Sequence, residues 1–117
     1  MKVRILAAAE QEIVEAAYHY ERLSEGLGAD FLAEAVRVTR VLTRWHQIGA
    51  KLDPTYRRVS LHRFPYGVIY RCKGDLVEVV AIAHRRRRLR YWYYRVQDRL
   101  ATYATHLFSS SSPSTSS

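Results

Sequence analysis

The sequence predicts an α+β fold: an N-terminal strand, then an antiparallel helical hairpin packed on one face of a mainly antiparallel sheet, in the order β-α-α-β-β-β, with a C-terminal helix. Three observations predict it. Two successive segments, starting at Ala9 and Phe31, repeat apolar residues at intervals of four and three. Three later segments between residues 56 and 84 are rich in β-formers and are separated by turn signals. A helical pair followed by a run of strands is the order of an α+β layer pair.

Residues 2–6 alternate Lys2, Val3, Arg4 and Ile5, which suits a short strand with Val3 and Ile5 inward. From residue 8 the period changes: Ala9, Ile13, Ala16, Tyr20 and Leu23 form one helical stripe, and Glu10, Glu12, Glu15 and Glu21 lie off it. Residues 24–30, with two glycines, end that helix and turn the chain. The next stripe is Phe31, Ala35, Val38, Leu42 and Trp45, so Trp45 is expected in the core or between helix and sheet. Two amphipathic helices joined by so few residues pack antiparallel.

Residues 46–54 read as connection, punctuated by Gly49 and Pro54. The run 56–64 alternates, with Val59 and Leu61 on one face and Arg58, Ser60 and His62 on the other. Residues 66–73 follow, then a Gly74-Asp75 turn, then 76–84, almost wholly apolar as befits a central strand covered on both faces. Tyr66 and Tyr70 are expected to pack on the sheet with their hydroxyls in water, Arg58 and Arg63 to face solvent, and Cys72 to be a small buried apolar residue. Trp92, Val96, Leu100, Tyr103 and Leu107 keep a helical spacing and predict a helix from about residue 90 to 107. The domain is therefore expected to span 1–107. The serine-rich end, 108–117, has nothing to bury and is expected to be disordered.

Lys plus Arg number 19 against 11 Asp plus Glu, a net charge of +8, and sixteen of the nineteen are Arg. That balance points to nucleic acid, an anionic surface or an acidic protein as partner, and arginine favours forked contacts to phosphate or carboxylate. Cys72 is alone, which excludes an internal disulfide and a cysteine-based metal site. No metal or other cofactor is expected. The N-terminus has too short an apolar stretch for a signal peptide and no segment approaches a membrane span, so the chain reads as cytoplasmic with no membrane partner.

The charge concentrates in residues 83–95, AHRRRRLRYWYYR, with six arginines, four aromatic rings and no acid. One reading is a solvated basic face. The other is a surface for an anionic partner, since Arg, Tyr and Trp are enriched at interface hot spots and rings beside Arg can stack on bases. On the second reading the target-binding residues are His84, Arg85, Arg86, Arg87, Arg88, Arg90, Tyr91 and Trp92. Beside it stand the plainer assignments: His84 as a strand-end histidine bonded to backbone, and Trp92 as a structural ring opening the last helix.

Three pieces in this order resemble the RelE/ParE superfamily of bacterial type II toxins, closer to its ParE-like branch: the paired helices of residues 9–38, RRVSLHRFPYGVIYR (57–71), and VVAIAHRRRRLRYWYYR (79–95). The resemblance implies a stable toxin encoded beside a less stable, acidic cognate antitoxin, with which it forms a hetero-oligomer. The RelE-like branch cuts mRNA in the translating ribosome; the ParE-like branch poisons DNA gyrase and has no established hydrolytic site.

Metal-independent RNA cleavage needs proton transfer and phosphate stabilisation. The candidates for it here are Arg58, Arg63, Arg86, Arg87, His84, Tyr91 and Tyr93, and a nuclease would use Arg86, with Tyr91 or Tyr93, and Arg63. The RelE-like branch usually places an Arg after the Tyr that opens its middle strand, where this chain has Gly67, and its catalytic Tyr corresponds to Trp92. The Pro often found before Tyr-Trp in the ParE-like branch is Leu89. The expected function is therefore growth inhibition by binding a target such as gyrase. A ribosome-dependent mRNA endonuclease and a non-toxic basic nucleic-acid-binding domain are the alternatives.

Overall fold

The computed structural model describes residues 1–96. Its elements are β1 (Lys2–Ile5), α1 (Ala7–Leu23), α2 (Leu27–Arg44), β2 (Ala50–Lys51), β3 (Tyr56–Ser60), β4 (Tyr66–Lys73) and β5 (Leu76–His84). A helical turn begins at residue 93; the remainder of the helix expected over 90–107, and the serine-rich end, lie outside the described residues. Chain packing separates a first unit, Met1–Arg87, from a second beginning at Arg88.

The first unit is a five-stranded sheet in the order β1-β5-β4-β3-β2 with the helical hairpin on it. β1 runs parallel to β5, while the β2/β3, β3/β4 and β4/β5 ladders are antiparallel. The α+β order expected from the sequence is thus observed. The short β2 is an addition: residues 50 and 51 lie in the stretch read as connection, and two residues carry no legible alternation.

The hairpin turn is shorter than the glycine-rich run suggests. Gly26 takes a left-handed conformation (φ 87°) that reverses the chain, and α2 begins at the next residue. The Glu21 carboxylate accepts the N–H groups of Gly26 (3.0 Å) and Gly28 (2.9 Å), supplying acceptors to the open end of α2. Ala9, Ala16, Phe31, Val38 and Leu42 then meet Leu61, Phe64, Val68, Tyr70, Val77, Val79 and Ile82 in one core. Val79 and Ile82 are three apart yet share the core face. The β4/β5 register jumps between Ile69 (opposite Ala81) and Tyr70 (opposite Val79), so Val80 is an extra residue that shifts the strand's phase. Every residue from Val77 to Ala83 is buried, as expected of a strand covered on both faces.

Four side-chain expectations are corrected. Trp45 is 64% exposed, because α2 ends at Arg44 and the backbone at Trp45 leaves helical angles before the stripe reaches it. Cys72 is exposed, lying near the end of β4 beside the β4/β5 turn. Tyr70 is fully buried instead of reaching water: its hydroxyl donates to the His46 carbonyl (2.7 Å) and accepts the Gly49 N–H (3.0 Å). Val3 is 39% exposed, since β1 is an edge strand and only Ile5 packs against the core.

Candidate functional site

A cleft of about 460 Å³ opens where β3 and β5 end and β4 begins. The side chains that define it are Arg58, His62, Arg63, Tyr66 and Arg85, and no carboxylate lines it. Its floor follows from strand alternation. Val59, Val68 and Tyr70 point to the core, so Arg58 and Ser60 on β3, beside Ile69 and Gly67 on β4, occupy the opposite face. The Arg58 side chain lies over Gly67: a β-carbon at position 67 would come within 2.5 Å of Arg58 Cζ and Nε. The glycine that displaces an expected arginine therefore makes room for a different one.

The cleft's wall is the turn 61–65, which is held from three sides. Leu61 N–H donates to the Tyr66 carbonyl (2.9 Å), and Arg85 N–H donates to the Pro65 carbonyl (2.8 Å). The buried Glu34 carboxylate accepts the N–H groups of His62 and Arg63. Beneath the turn, Phe64 meets Tyr20 (4.8 Å between ring centroids) and Phe31 (5.1 Å), and Tyr66 meets Phe31 (5.2 Å) and His84 (5.1 Å). This aromatic cluster joins the hairpin to the turn.

The cations differ in how they are balanced. Arg63 pairs with Asp30 at 3.4 Å and lies over the Phe64 ring, though both charged partners are half exposed or more. Arg58 is half-buried and Arg85 exposed, and neither makes an ion pair among the described residues. The same holds for Arg86 and Arg88.

The basic run divides between the two units. In the first, His84 ends β5; its Nδ1 accepts the Arg86 N–H (3.0 Å) and its carbonyl accepts the Arg87 N–H (2.9 Å), which bends the chain after the strand. His84 is thus bonded to backbone, as the plainer reading has it. Partial burial, then the charges of Arg86, Arg85, Arg58 and His19, lower its pKa below the usual 6.5, so it is neutral at pH 7. Burial and the nearby Glu12 carboxylate, opposed by Arg87, raise the Tyr66 pKa and keep its hydroxyl protonated. Arg63 and Arg85 meet in the cleft; Arg86 is not among its lining residues.

In the second unit the rings largely face the chain's own arginines. Arg90 lies over Tyr93 (5.6 Å), and Arg95 lies over Tyr91 (5.2 Å) and Tyr94 (5.7 Å). Trp92 is only 1% exposed, so it offers a partner almost no surface, in keeping with a structural ring. The exposed ring of this run is Tyr94, at 54%, and Leu89 is 74% exposed.

A second surface lies on the outer side of the hairpin. Val14 and Tyr18 on α1 face Leu32 on α2 across a shallow groove of about 420 Å³, and Val36 continues the row. All four are exposed, Tyr18 at 70%. Sequence reasoning followed the core stripes and missed this one, although the four-residue spacings Val14–Tyr18 and Leu32–Val36 were its signal. Among the described residues there is no cluster of His, Cys, Asp and Glu suited to a metal, and no helix long and apolar enough to cross a membrane.

Comparison with known proteins gives one family. A family model described as the ParE toxin of the parDE type II toxin-antitoxin system matches residues 3–89. Among solved structures, the chromosomal ParDE TA system from P. aeruginosa is similar, with a TM-score of 0.52 and 18% identity over 72% of this chain and 95% of its own. At that identity the likeness concerns the fold. No curated protein matches the chain.

Proposed function

This chain belongs to the ParE toxin family of type II toxin-antitoxin systems, and on that premise we propose that it inhibits growth by gripping a macromolecular target such as DNA gyrase, and that a cognate antitoxin neutralises it. The observation that carries the binding reading is the state of the arginines: Arg85, Arg86 and Arg88 project from the end of the sheet and the start of the second unit without ion pairs among the described residues. Unpaired guanidinium groups near one another repel. They are tolerable in water and become favourable when an anionic or acidic surface arrives.

The antitoxin reading rests on a different surface. An apolar row on the outer face of the hairpin suits the apolar side of an amphipathic helix, and the whole chain's net charge of +8 suits an acidic partner. A disordered acidic segment would fold on this face, with Tyr18 and Leu32 as its anchors.

A supercoiling assay with purified protein tests the target. Inhibition of gyrase at concentrations that stop growth supports the proposal; full supercoiling activity at those concentrations refutes it. A second reading, ribosome-dependent mRNA cleavage, is favoured by one observation: Arg58 brings a guanidinium to the place where Gly67 has none. Primer extension on mRNA after induction separates the two, since codon-phased cuts belong only to the enzyme.

A further inference from the structure

We propose that the cleft formed by Arg58, Arg85 and the turn 61–65 is a phosphate-binding site, with the Arg58 guanidinium seated over Gly67. The inference does not rest on the gyrase reading. Arg58 is half-buried on a sheet face, and its side chain makes no hydrogen bond or ion pair among the described residues. A partly desolvated cation in that condition is unfavourable until an anion joins it. The sheet holds the group for that purpose. The guanidinium rests over Gly67, where any side chain would displace it. Arg85 stands on the same cleft with its backbone tied to Pro65, and His62 and Arg63 stand on a turn fixed by Glu34.

The chemistry selects phosphate. Two guanidinium forks, with no carboxylate in the lining, match the several acceptor oxygens of a phosphate better than the two of a carboxylate. At about 460 Å³ the cleft has room for a phosphate together with an attached sugar. The group could come from a nucleic-acid strand or from free phosphate or a nucleotide.

The test titrates full-length protein with a fluorescent single-stranded oligonucleotide of twelve nucleotides, and separately follows the Gly67 and His62 amide resonances on adding inorganic phosphate. Arg58→Ala is expected to weaken binding about tenfold, the worth of one charge-assisted hydrogen bond. Gly67→Ala, which keeps every charge but evicts the guanidinium, is expected to do nearly the same. Arg40→Ala, which removes one charge on the outside of α2, should change affinity far less. Should Gly67→Ala fail to fold, Arg58→Lys replaces it, retaining the charge without the fork. Tight oligonucleotide binding identifies a strand as the source, whereas resonance shifts with inorganic phosphate alone identify a free phosphate. Wild-type affinity for both probes in Arg58→Ala overturns the proposal. So does a glutamate-rich peptide of equal charge that binds the cleft as tightly as the oligonucleotide.

Discussion

The carboxylate of Glu34, in the middle of α2, accepts the backbone N–H groups of His62 and Arg63, 28 and 29 residues further along the chain. Glu34 is 8% exposed, and its exposed neighbour Arg37 lies 3.9 Å away. A buried acid on a helix thus shapes the wall of a basic cleft. Replacing it with Ala leaves two N–H groups of the turn without their acceptor. Glu34→Ala should destabilise the fold by about 2–3 kcal/mol, read by denaturant unfolding, while Glu34→Gln, which keeps one acceptor oxygen, should lose less.

Arg71 and Glu78 are directly opposite one another on β4 and β5 and bond at 2.9 Å, with the Glu78 side chain only 3% exposed. Removing Arg71 deprives a buried carboxylate of its charge-assisted bond. Arg71→Ala should cost about 3–5 kcal/mol, whereas the double change Arg71→Met with Glu78→Leu should be close to neutral, because desolvating the pair offsets most of its attraction. Chemical denaturation of the two variants checks the contrast.

His84 should titrate below 6.5 in the folded protein, as followed by its ring proton shifts, and Arg85→Ala should raise the midpoint. The unfolded chain binds this proton at the ordinary value, above the folded one. Stability from this group is therefore complete above about pH 6.5 and declines as the pH falls towards the folded midpoint. Glu12, Glu15 and His19 on α1, with Tyr66 and Arg87, line one pocket together with His84.

The outer groove offers a test of antitoxin docking that leaves the core alone. Tyr18→Asp and Leu32→Arg alter exposed side chains, so thermal stability should change by less than about 0.5 kcal/mol. Affinity for the antitoxin should fall at least tenfold by calorimetry if these residues anchor it. Retained affinity in the double variant would move the docking surface elsewhere.

How much of this was legible beforehand depends on the range of the interaction. The two helices, the strand sequence and the buried character of residues 76–84 follow from local periodicity, because burial of one face imposes a repeat of 3.6 or 2 on the chain itself. The same local reasoning failed at element ends. Trp45 keeps the helical spacing of Phe31 and Leu42 but lies one residue past the helix, and nothing in the spacing says where a helix stops. It also failed at Tyr70, whose hydroxyl is satisfied by a loop more than twenty residues away.

For the site, the order of residues alone determined that this protein is strongly cationic and that the charge gathers at residues 83–95, because counting ionisable side chains along a chain requires no coordinates. Which arginines act together was decided only by folding. Arg58 and Gly67 are nine positions apart, and their contact exists because β3 and β4 pair in one register and not the neighbouring one. A slip of a single residue would send Arg58 into the core face and leave the cleft without its floor. Periodicity is written along the chain, but register is a relation between strands, and only the packed sheet selects it.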